Sequence, residues 1–282
     1  MLKLFYITNN TDVALIAEKY GVDRIFVDLE YIGKEKRQHN MDTVKNHHSV
    51  EDVKNIKSVL TKSELLVRVN PINQNSQKEI DDVINAGADI VMLPMWKTAQ
   101  EVKLFLKYVD SRVKTMLLLE TDDAVNIIDD VLCQCKVDEV HIGLNDLHIS
   151  QHKNFLFELL TDGTVDSLVN IIKRYNIPYG FGGFGRVEAN DLLPAENIIA
   201  EHYRLGSSMA ILSRAFCDTN KNTNLDEIKD IFDNGIKANK DYEREIMNKD
   251  DNFFNQMHNE TSSIIEKIVR NKKHEIVTNG CL

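Results

Sequence analysis

The sequence predicts a single (β/α)8 barrel, an α/β fold of the TIM-barrel type, with an extended C-terminal helical tail. Eight short, mostly apolar runs are typical of parallel strands covered on both faces, and helical patterns lie between them. A length of 282 residues is normal for one such barrel. The runs that predict strands are residues 2–8, 24–30, 64–70, 89–95, 114–121, 138–144, 179–184 and 208–216.

An open, doubly wound sheet is the alternative architecture. It would be favoured by a GxGxxG fingerprint after the first strand, where a dinucleotide's phosphates bind, but the chain has none there. The glycine-rich run Gly180-Phe181-Gly182-Gly183-Phe184-Gly185 lies instead at the seventh predicted strand. The alternation therefore favours the closed barrel.

Several helical segments have recognisable ends. Segment 12–18 follows the capping residues Asn9-Asn10-Thr11, and segment 77–85 ends before Gly87, which suits a helix C-terminus. Ser49 and Asp52 have the spacing of a capping box. The remaining helical patterns are residues 98–109, 123–132, 165–175, 194–205 and 225–247.

The C-terminal part of the chain exceeds what a barrel needs. We divide the chain into a barrel core at 1–217 and an eighth helix with a helical extension at 218–282. The surplus residues predict oligomer contacts, so we expect a homo-oligomer. A frayed, charged terminus is the alternative for the last ten residues.

Composition excludes several classes of partner. With 34 basic and 44 acidic residues the net charge is −10, which argues against nucleic acid or an anionic membrane surface as the main partner. We expect no membrane span, because no apolar run reaches about 18 residues. Four cysteines in a chain of this length predict reduced thiols and a cytoplasmic protein.

Polar residues follow the predicted strands, where the active site of a barrel would lie. Glu120 ends the fifth strand and Asp146 follows the sixth, so two carboxylates from neighbouring strands could share one cation. Two carboxylates completed by water and substrate oxygens suit Mg²⁺ or Mn²⁺. Arg68, at the end of the third strand, could form a fork with a carboxylate or an enolate oxygen. Taken singly, each charged residue indicates only which end of the barrel is solvated.

Two further segments have two interpretations each. Residues 182–186 end the seventh strand, where glycine amides and Arg186 could bind phosphate, or where the glycines could simply allow a tight turn. Residues 33–48 carry an excess of positive charge on an acidic chain. They predict either a lid over the barrel mouth that attracts an anionic substrate, or an ordinary solvated loop.

Five segments occur in an order that resembles the HpcH/HpaI aldolase and citrate lyase β-subunit family. The resemblance implies a class II pyruvate-type aldolase or an acyl-CoA lyase. It further implies that Glu120 and Asp146 bind the metal, that Arg68 stabilises the enolate, and that subunits exchange a C-terminal helix. The segments are residues 26–30, 67–71, 86–95, 119–121 and 143–147.

The second strand departs from the family's pattern. Aldolase members have a histidine after that strand's acidic pair, where this chain has Tyr31; lyase members have a further aspartate. The general base is therefore open: Glu30 is the first candidate, followed by His47 or His48. Asp28 belongs to the same catalytic group by the resemblance. Residues expected to bind the substrate are Asn70, Pro94, Met95, Asn145 and Arg186.

The sequence thus predicts a lyase that uses Mg²⁺ or Mn²⁺ to cleave or form a carbon–carbon bond. Its expected substrate is a small anion, such as a keto-acid, a sugar acid or an acyl-CoA thioester. One alternative is a barrel without turnover that serves as a binding or assembly component, which Tyr31 favours. The other is chemistry on oxaloacetate or phosphoenolpyruvate at the same metal.

Overall fold

Eight parallel strands form a closed barrel in which neighbours in sequence are neighbours in space, and β8 pairs with β1. The computed structural model describes residues 1–33 and 48–279, with side chains as far as Lys272. The predicted fold class is confirmed. The strands are β1 (Lys3–Ile7), β2 (Arg24–Asp28), β3 (Glu64–Arg68), β4 (Ile90–Leu93), β5 (Lys114–Leu119), β6 (Glu139–Ile142), β7 (Tyr179–Phe184) and β8 (Met209–Leu212).

Helices connect the strands and cover the barrel. They are α1 (Thr11–Lys19), α2 (Val50–Val59), α3 (Ser76–Asn85), α4 (Ala99–Val109), α5 (Asp122–Gln134), α6 (Leu144–Ser150), a 3₁₀ helix (Leu156–Leu160), α7 (Thr164–Arg174), α8 (Ala195–Leu205), α9 (Leu225–Ile246) and α10 (Asp251–Asn279).

Local sequence signals explain several helix starts. The Asn10 side chain accepts hydrogen bonds from the amides of residues 12 and 13, which caps α1. Ser49 and Asp52 form the expected capping box before α2. These caps satisfy backbone N–H groups that the first turn of a helix leaves without an internal partner.

The strands bury two separate apolar surfaces. Their outward side chains pack against the helices in the main core. Their inward side chains fill the lumen, so that the barrel is a packed interior and not a channel. The lumen cluster contains Phe5, Phe26, Leu66, Ile90, Met92, Met116, Leu118 and Met209.

Glycines of β7 allow the barrel to close. A Cβ atom on Gly180 would lie 2.2 Å from the carbonyl oxygen of Met209, and one on Gly183 would lie 2.6 Å from that of Ile211. No side chain fits at either distance, so β7 approaches β8 only because both positions are glycine. Gly182 and Gly183 therefore lie inside the strand, as the predicted strand at 179–184 requires.

The bottom of the lumen holds an ion-pair network at the first residues of four strands, and its central pair, Arg24 with Glu139, is buried. Arg24 donates to both carboxylate oxygens of Glu139, at 2.5 and 2.6 Å, and to Glu64 at 2.8 Å. Lys114 also bonds Glu64, at 2.5 Å. The Arg24 guanidinium lies 4.8 Å from the centre of the Phe5 ring. This network satisfies charges that would otherwise be costly to bury.

The tail packs on the barrel of its own chain. Asn197 of α8 donates to Thr261 of α10 at 3.0 Å, and buried Glu201 lies 2.8 Å from the Nδ1 of His258. Contacts between subunits remain a prediction, as does the division at residue 217, which falls between β8 and α9. Within the described ranges, the structure contains no helix long and apolar enough to cross a membrane.

Replacing Arg24 by methionine should cost about 3–5 kcal/mol of unfolding free energy, because Glu139 would keep a buried charge without its partner. Urea unfolding measures this cost. Arg24→Met combined with Glu139→Met should recover much of the loss. Arg112→Met, which breaks a half-exposed pair with Asp81, should cost less than about 1 kcal/mol. Equal losses for Arg24→Met and Arg112→Met would contradict a structural role for the network.

Candidate active site

The carboxyl ends of the strands surround a cavity of about 630 Å³. Five residues of the predicted site line it: Asp28, Arg68, Glu120, Asn145 and Asp146. They come from the ends of β2, β3 and β5 and from the segment after β6. Side chains far apart in sequence share this cavity because parallel strands present all their carboxyl ends at one rim.

Arg68 is held by two acidic residues: Asp28, the last residue of β2, and Glu30, which follows β2. Its Nε and Nη2 groups donate to the two oxygens of Asp28, each at 2.8 Å, and its Nη1 lies 3.3 Å from Glu30. Burial alone would lower the pKa of the Arg68 guanidinium. The charges of Asp28 and Glu30 outweigh burial and hold that pKa well above its ordinary value. Arg68 is therefore a permanent cation in a fixed orientation.

Glu120 is positioned by backbone on two sides. The amide N–H of Met95 donates to Glu120 Oε1 at 3.0 Å, and Met95 has a left-handed φ of 53°. On the other side, a Cβ atom on Gly143 would lie 3.0 Å from both Cβ and Oε2 of Glu120. A side chain at position 143 would therefore press on the Glu120 carboxylate, and the glycine leaves it room.

The electrostatics of Glu120 favour a positive charge beside it. Burial raises the pKa of Glu120 well above its ordinary value, and the negative charge of Asp146 raises that pKa further. Arg68 opposes both effects but does not cancel them. Two buried carboxylates whose charges repel each other can be stabilised by a proton or by a cation that both of them bind.

This pair suits a divalent cation by the chemistry of its donor atoms. Hard cations prefer oxygen ligands, and Mg²⁺ is commonly bound by one or two carboxylates with water and substrate atoms in the other positions. Among residues 1–33 and 48–279, no group of three or more His, Cys, Asp or Glu side chains could hold a metal. Within those residues, Glu120 and Asp146 are the two carboxylates of the cavity that act on each other.

Other predicted residues serve the framework. Asn70 is buried: its side-chain oxygen accepts from the amides of Tyr31 and Ile32, and its nitrogen donates to Glu79 and to the backbone of β2's end. The Met95 amide, expected to seat substrate together with Pro94, donates to Glu120. None of Asn70, Pro94 and Met95 is part of the cavity lining, and their binding of substrate stays a prediction.

Arg186 also lies outside the cavity lining. Its aliphatic stem packs against Gly235 of α9, where an added Cβ would lie 3.0 Å from Arg186 Cδ. The sequence-based expectation that Arg186 contacts substrate has no support from this placement.

The candidates for the general base lie beside Asp28 and Arg68, outside the cavity lining. His48 accepts the backbone N–H of Asp28 through Nδ1, at 3.0 Å, so in the neutral ring Nε2 carries the proton. Glu30 is almost fully buried beside Arg68. Neither residue is part of the cavity lining, and His47 lies outside the described residues.

Comparison with known protein families agrees with this layout. The family model described as HpcH/HpaI aldolase/citrate lyase matches residues 2–154, more than half of the chain. The chain belongs to the HpcH/HpaI aldolase/citrate lyase family. The match includes β1 to β6 and all five lining residues described above. Among curated proteins, none matches this chain.

Solved structures of this family share the fold. An HpcH/HpaI aldolase from Desulfitobacterium hafniense DCB-2 is 17% identical, with a TM-score of 0.58 over 81% of this chain and 93% of that one. A family protein from Burkholderia cenocepacia J2315 is 14% identical, with a TM-score of 0.57 over 81% and 95%. A citrate lyase from Burkholderia xenovorans LB400 is 12% identical, with a TM-score of 0.56 over 82% and 77%.

The structure adds one residue that sequence reasoning missed. His141 is fully buried on β6, lines the cavity, and bonds the Gly182 carbonyl oxygen through Nε2 at 3.2 Å. Because a carbonyl only accepts, Nε2 carries the proton, and Nδ1 has no hydrogen-bond partner among the described residues. The available signal was a single imidazole in the otherwise apolar run Val140-His141-Ile142.

His141 should make the protein acid-sensitive. Burial lowers the pKa of His141 from 6.5 to about 4, so between these values the unfolded chain binds a proton that the folded chain does not. Its neutral form therefore stabilises the fold above pH 6.5, and about 3 kcal/mol of that stability is lost as the pH falls to 4.

Urea unfolding across this pH range measures the effect by comparison of variants. His141→Gln should lose about 3 kcal/mol less than the wild type between pH 6.5 and pH 4, whatever its stability at neutral pH. His152→Gln, on an exposed histidine, should follow the wild type. If the stability of His141→Gln changes with pH as the wild type's does, the buried imidazole is not responsible.

Proposed function

We propose that this family member is a divalent-metal-dependent carbon–carbon lyase that acts on a keto-acid or an acyl thioester. The supporting observation is the pair of buried carboxylates, Glu120 and Asp146, in one cavity with a fixed arginine, Arg68. This combination matches the needs of a reaction that develops negative charge on an oxygen next to the bond being cleaved.

A bound Mg²⁺ or Mn²⁺ would act as a Lewis acid toward the substrate carbonyl. Glu120 and Asp146 would hold it, and Met95 fixes the orientation of Glu120. A guanidinium has five N–H groups, more than Asp28 and Glu30 occupy on Arg68. Arg68 can therefore also donate to a substrate carboxylate or to the oxygen that becomes negative.

Cleavage of a hydroxylated keto-acid needs a base for the hydroxyl proton. As that proton leaves, the carbon–carbon bond breaks, its electron pair forms an enolate, and an aldehyde is released. The enolate carbon then takes up a proton to give the keto-acid. Glu30 remains the first candidate for the base; it lies beside Arg68 and outside the cavity lining, whereas the neutral His48 ring already uses its basic nitrogen to accept the Asp28 amide.

A barrel without turnover is the weaker alternative. Tyr31, which suggested it, is 68% exposed, and its amide bonds Asn70. The carboxylate pair and the forked arginine are all present, and a purely structural barrel has no need for repelling buried acids.

The first test is hydrogen exchange into the methyl group of pyruvate, which requires enolate formation but no second reactant. In deuterium oxide, the wild type should exchange the methyl protons only with added Mg²⁺ or Mn²⁺, as measured by proton NMR. Glu120→Gln and Asp146→Asn should each lower the rate by at least about 100-fold. Asp81→Asn, on the outer surface, should exchange normally. Full exchange in either of these two variants would contradict the assignment of Glu120 and Asp146 as metal ligands.

Metal binding has a readout that is independent of activity. Mn²⁺ at about 100 times its dissociation constant should stabilise the folded protein by about 2.7 kcal/mol. Thermal unfolding should therefore show a Tm several degrees higher with Mn²⁺ than without it. Asp146→Asn should stay folded and lose this rise, while Asp81→Asn should keep it. An undiminished rise in Asp146→Asn would place the cation elsewhere.

A further inference from the structure

One side of the active-site cavity is lined by apolar side chains. Three of its residues follow α6, two follow β7, and one lies on α8. Phe155 and Phe157 stack edge to face, with ring centres 5.4 Å apart. We call this surface the apolar wall: Phe155, Leu156, Phe157, Leu192, Leu193 and Ile198.

The charges on the β7–β8 side of the cavity largely offset one another. The charged lining residues there are Asp191, Asp218 and Arg214, two acids and one base. Arg186 is outside the lining and packs on Gly235, but its charge acts on Asp191, and Lys221 lies 3.7 Å from Asp218. A second carboxylate or a phosphate would therefore find no cation on this side that is not already beside an acid, Arg214 aside.

The cavity is also much larger than the keto-acid requires. Its volume of about 630 Å³ lies in the range of pockets that hold drug-sized molecules. A three-carbon keto-acid beside Glu120, Asp146 and Arg68 would leave most of this space to a second reactant, which would contact the apolar wall.

We propose that the second reactant is an aldehyde with an uncharged hydrophobic side chain, aromatic or branched aliphatic, that packs on the apolar wall. This rests on the proposed lyase function and specifies its substrate class. A carboxylate in that position would lose its hydration without gaining a partner. A methylene group in such a pocket changes kcat/KM by roughly 10- to 200-fold.

The reaction balances with the groups already described. In the direction of synthesis, a methyl proton of pyruvate goes to the base and the methylene carbon bonds the aldehyde carbon. The aldehyde oxygen takes up a proton, so the product is a 4-hydroxy-2-keto-acid that carries the hydrophobic chain. Cleavage is the reverse, and neither direction needs an oxidant or a reductant.

The test measures synthesis from pyruvate and Mn²⁺ with 3-methylbutanal and, separately, with succinic semialdehyde, which is of similar length but ends in a carboxylate. The expected kcat/KM is at least about tenfold higher for 3-methylbutanal. A ratio of one or less overturns the proposal. Pyruvate methyl exchange without aldehyde tests the lyase function separately from the substrate class. If there is no exchange, the lyase function itself is rejected. If there is exchange but no preference for 3-methylbutanal, only the apolar substrate is rejected.

A variant of the apolar wall sharpens the test. Leu192 is 74% exposed, so Leu192→Lys should fold, yet it places a cation where the hydrophobic chain would pack. The ratio of kcat/KM for 3-methylbutanal to kcat/KM for succinic semialdehyde should fall at least fivefold. Because both reactions share the enolate, the ratio cancels any change in its formation. Leu225→Lys, at the start of α9 and outside the lining, should keep the wild-type ratio. An unchanged ratio in Leu192→Lys would contradict the proposal.

Discussion

Eight parallel strands can satisfy their backbone hydrogen bonds only if the last returns to the first, and the rest of this structure depends on that closure. The pairing of β8 with β1, and the glycines that let β7 approach β8, complete the ring. Closure places every strand's carboxyl end at one rim. Residues separated by more than a hundred positions, such as Asp28 and Asp146, thereby line the same cavity.

The two ends of the barrel use the same interaction for different purposes. At the bottom, Arg24 forms a fork with Glu139 and also bonds Glu64, and none of these three residues lines the cavity. At the top, Arg68 is forked onto Asp28, but it lines the cavity and feels the charge of Glu120 as well. Access to the cavity, rather than residue type, distinguishes the two networks.

The site carries more negative charge than its own arginine neutralises. Burial and the charge of Asp146 raise the pKa of Glu120, and Arg68 is already shared between Asp28 and Glu30. A metal-dependent lyase would be expected to have this imbalance, because the missing positive charge arrives with the cation. The apolar wall on the other side would then orient a second reactant through packing and exclude water, without further charge.

Much of the fold of this protein could be predicted from its sequence alone. Alternating apolar runs and helical patterns specify the barrel, because strand and helix periodicity are local properties, and caps such as Ser49 with Asp52 act within a few residues. Acidic and basic residues after the strands indicated which side chains would gather at the rim.

Tertiary structure alone decided which of them face the cavity. Asn70 and Arg186 resemble binding residues in sequence, yet one holds the loop after β2 and the other packs on α9. His141 and the apolar wall resemble core residues, yet they line the cavity. Orientation toward a cavity depends on strand register and on segments far apart in the chain, and no local pattern encodes either.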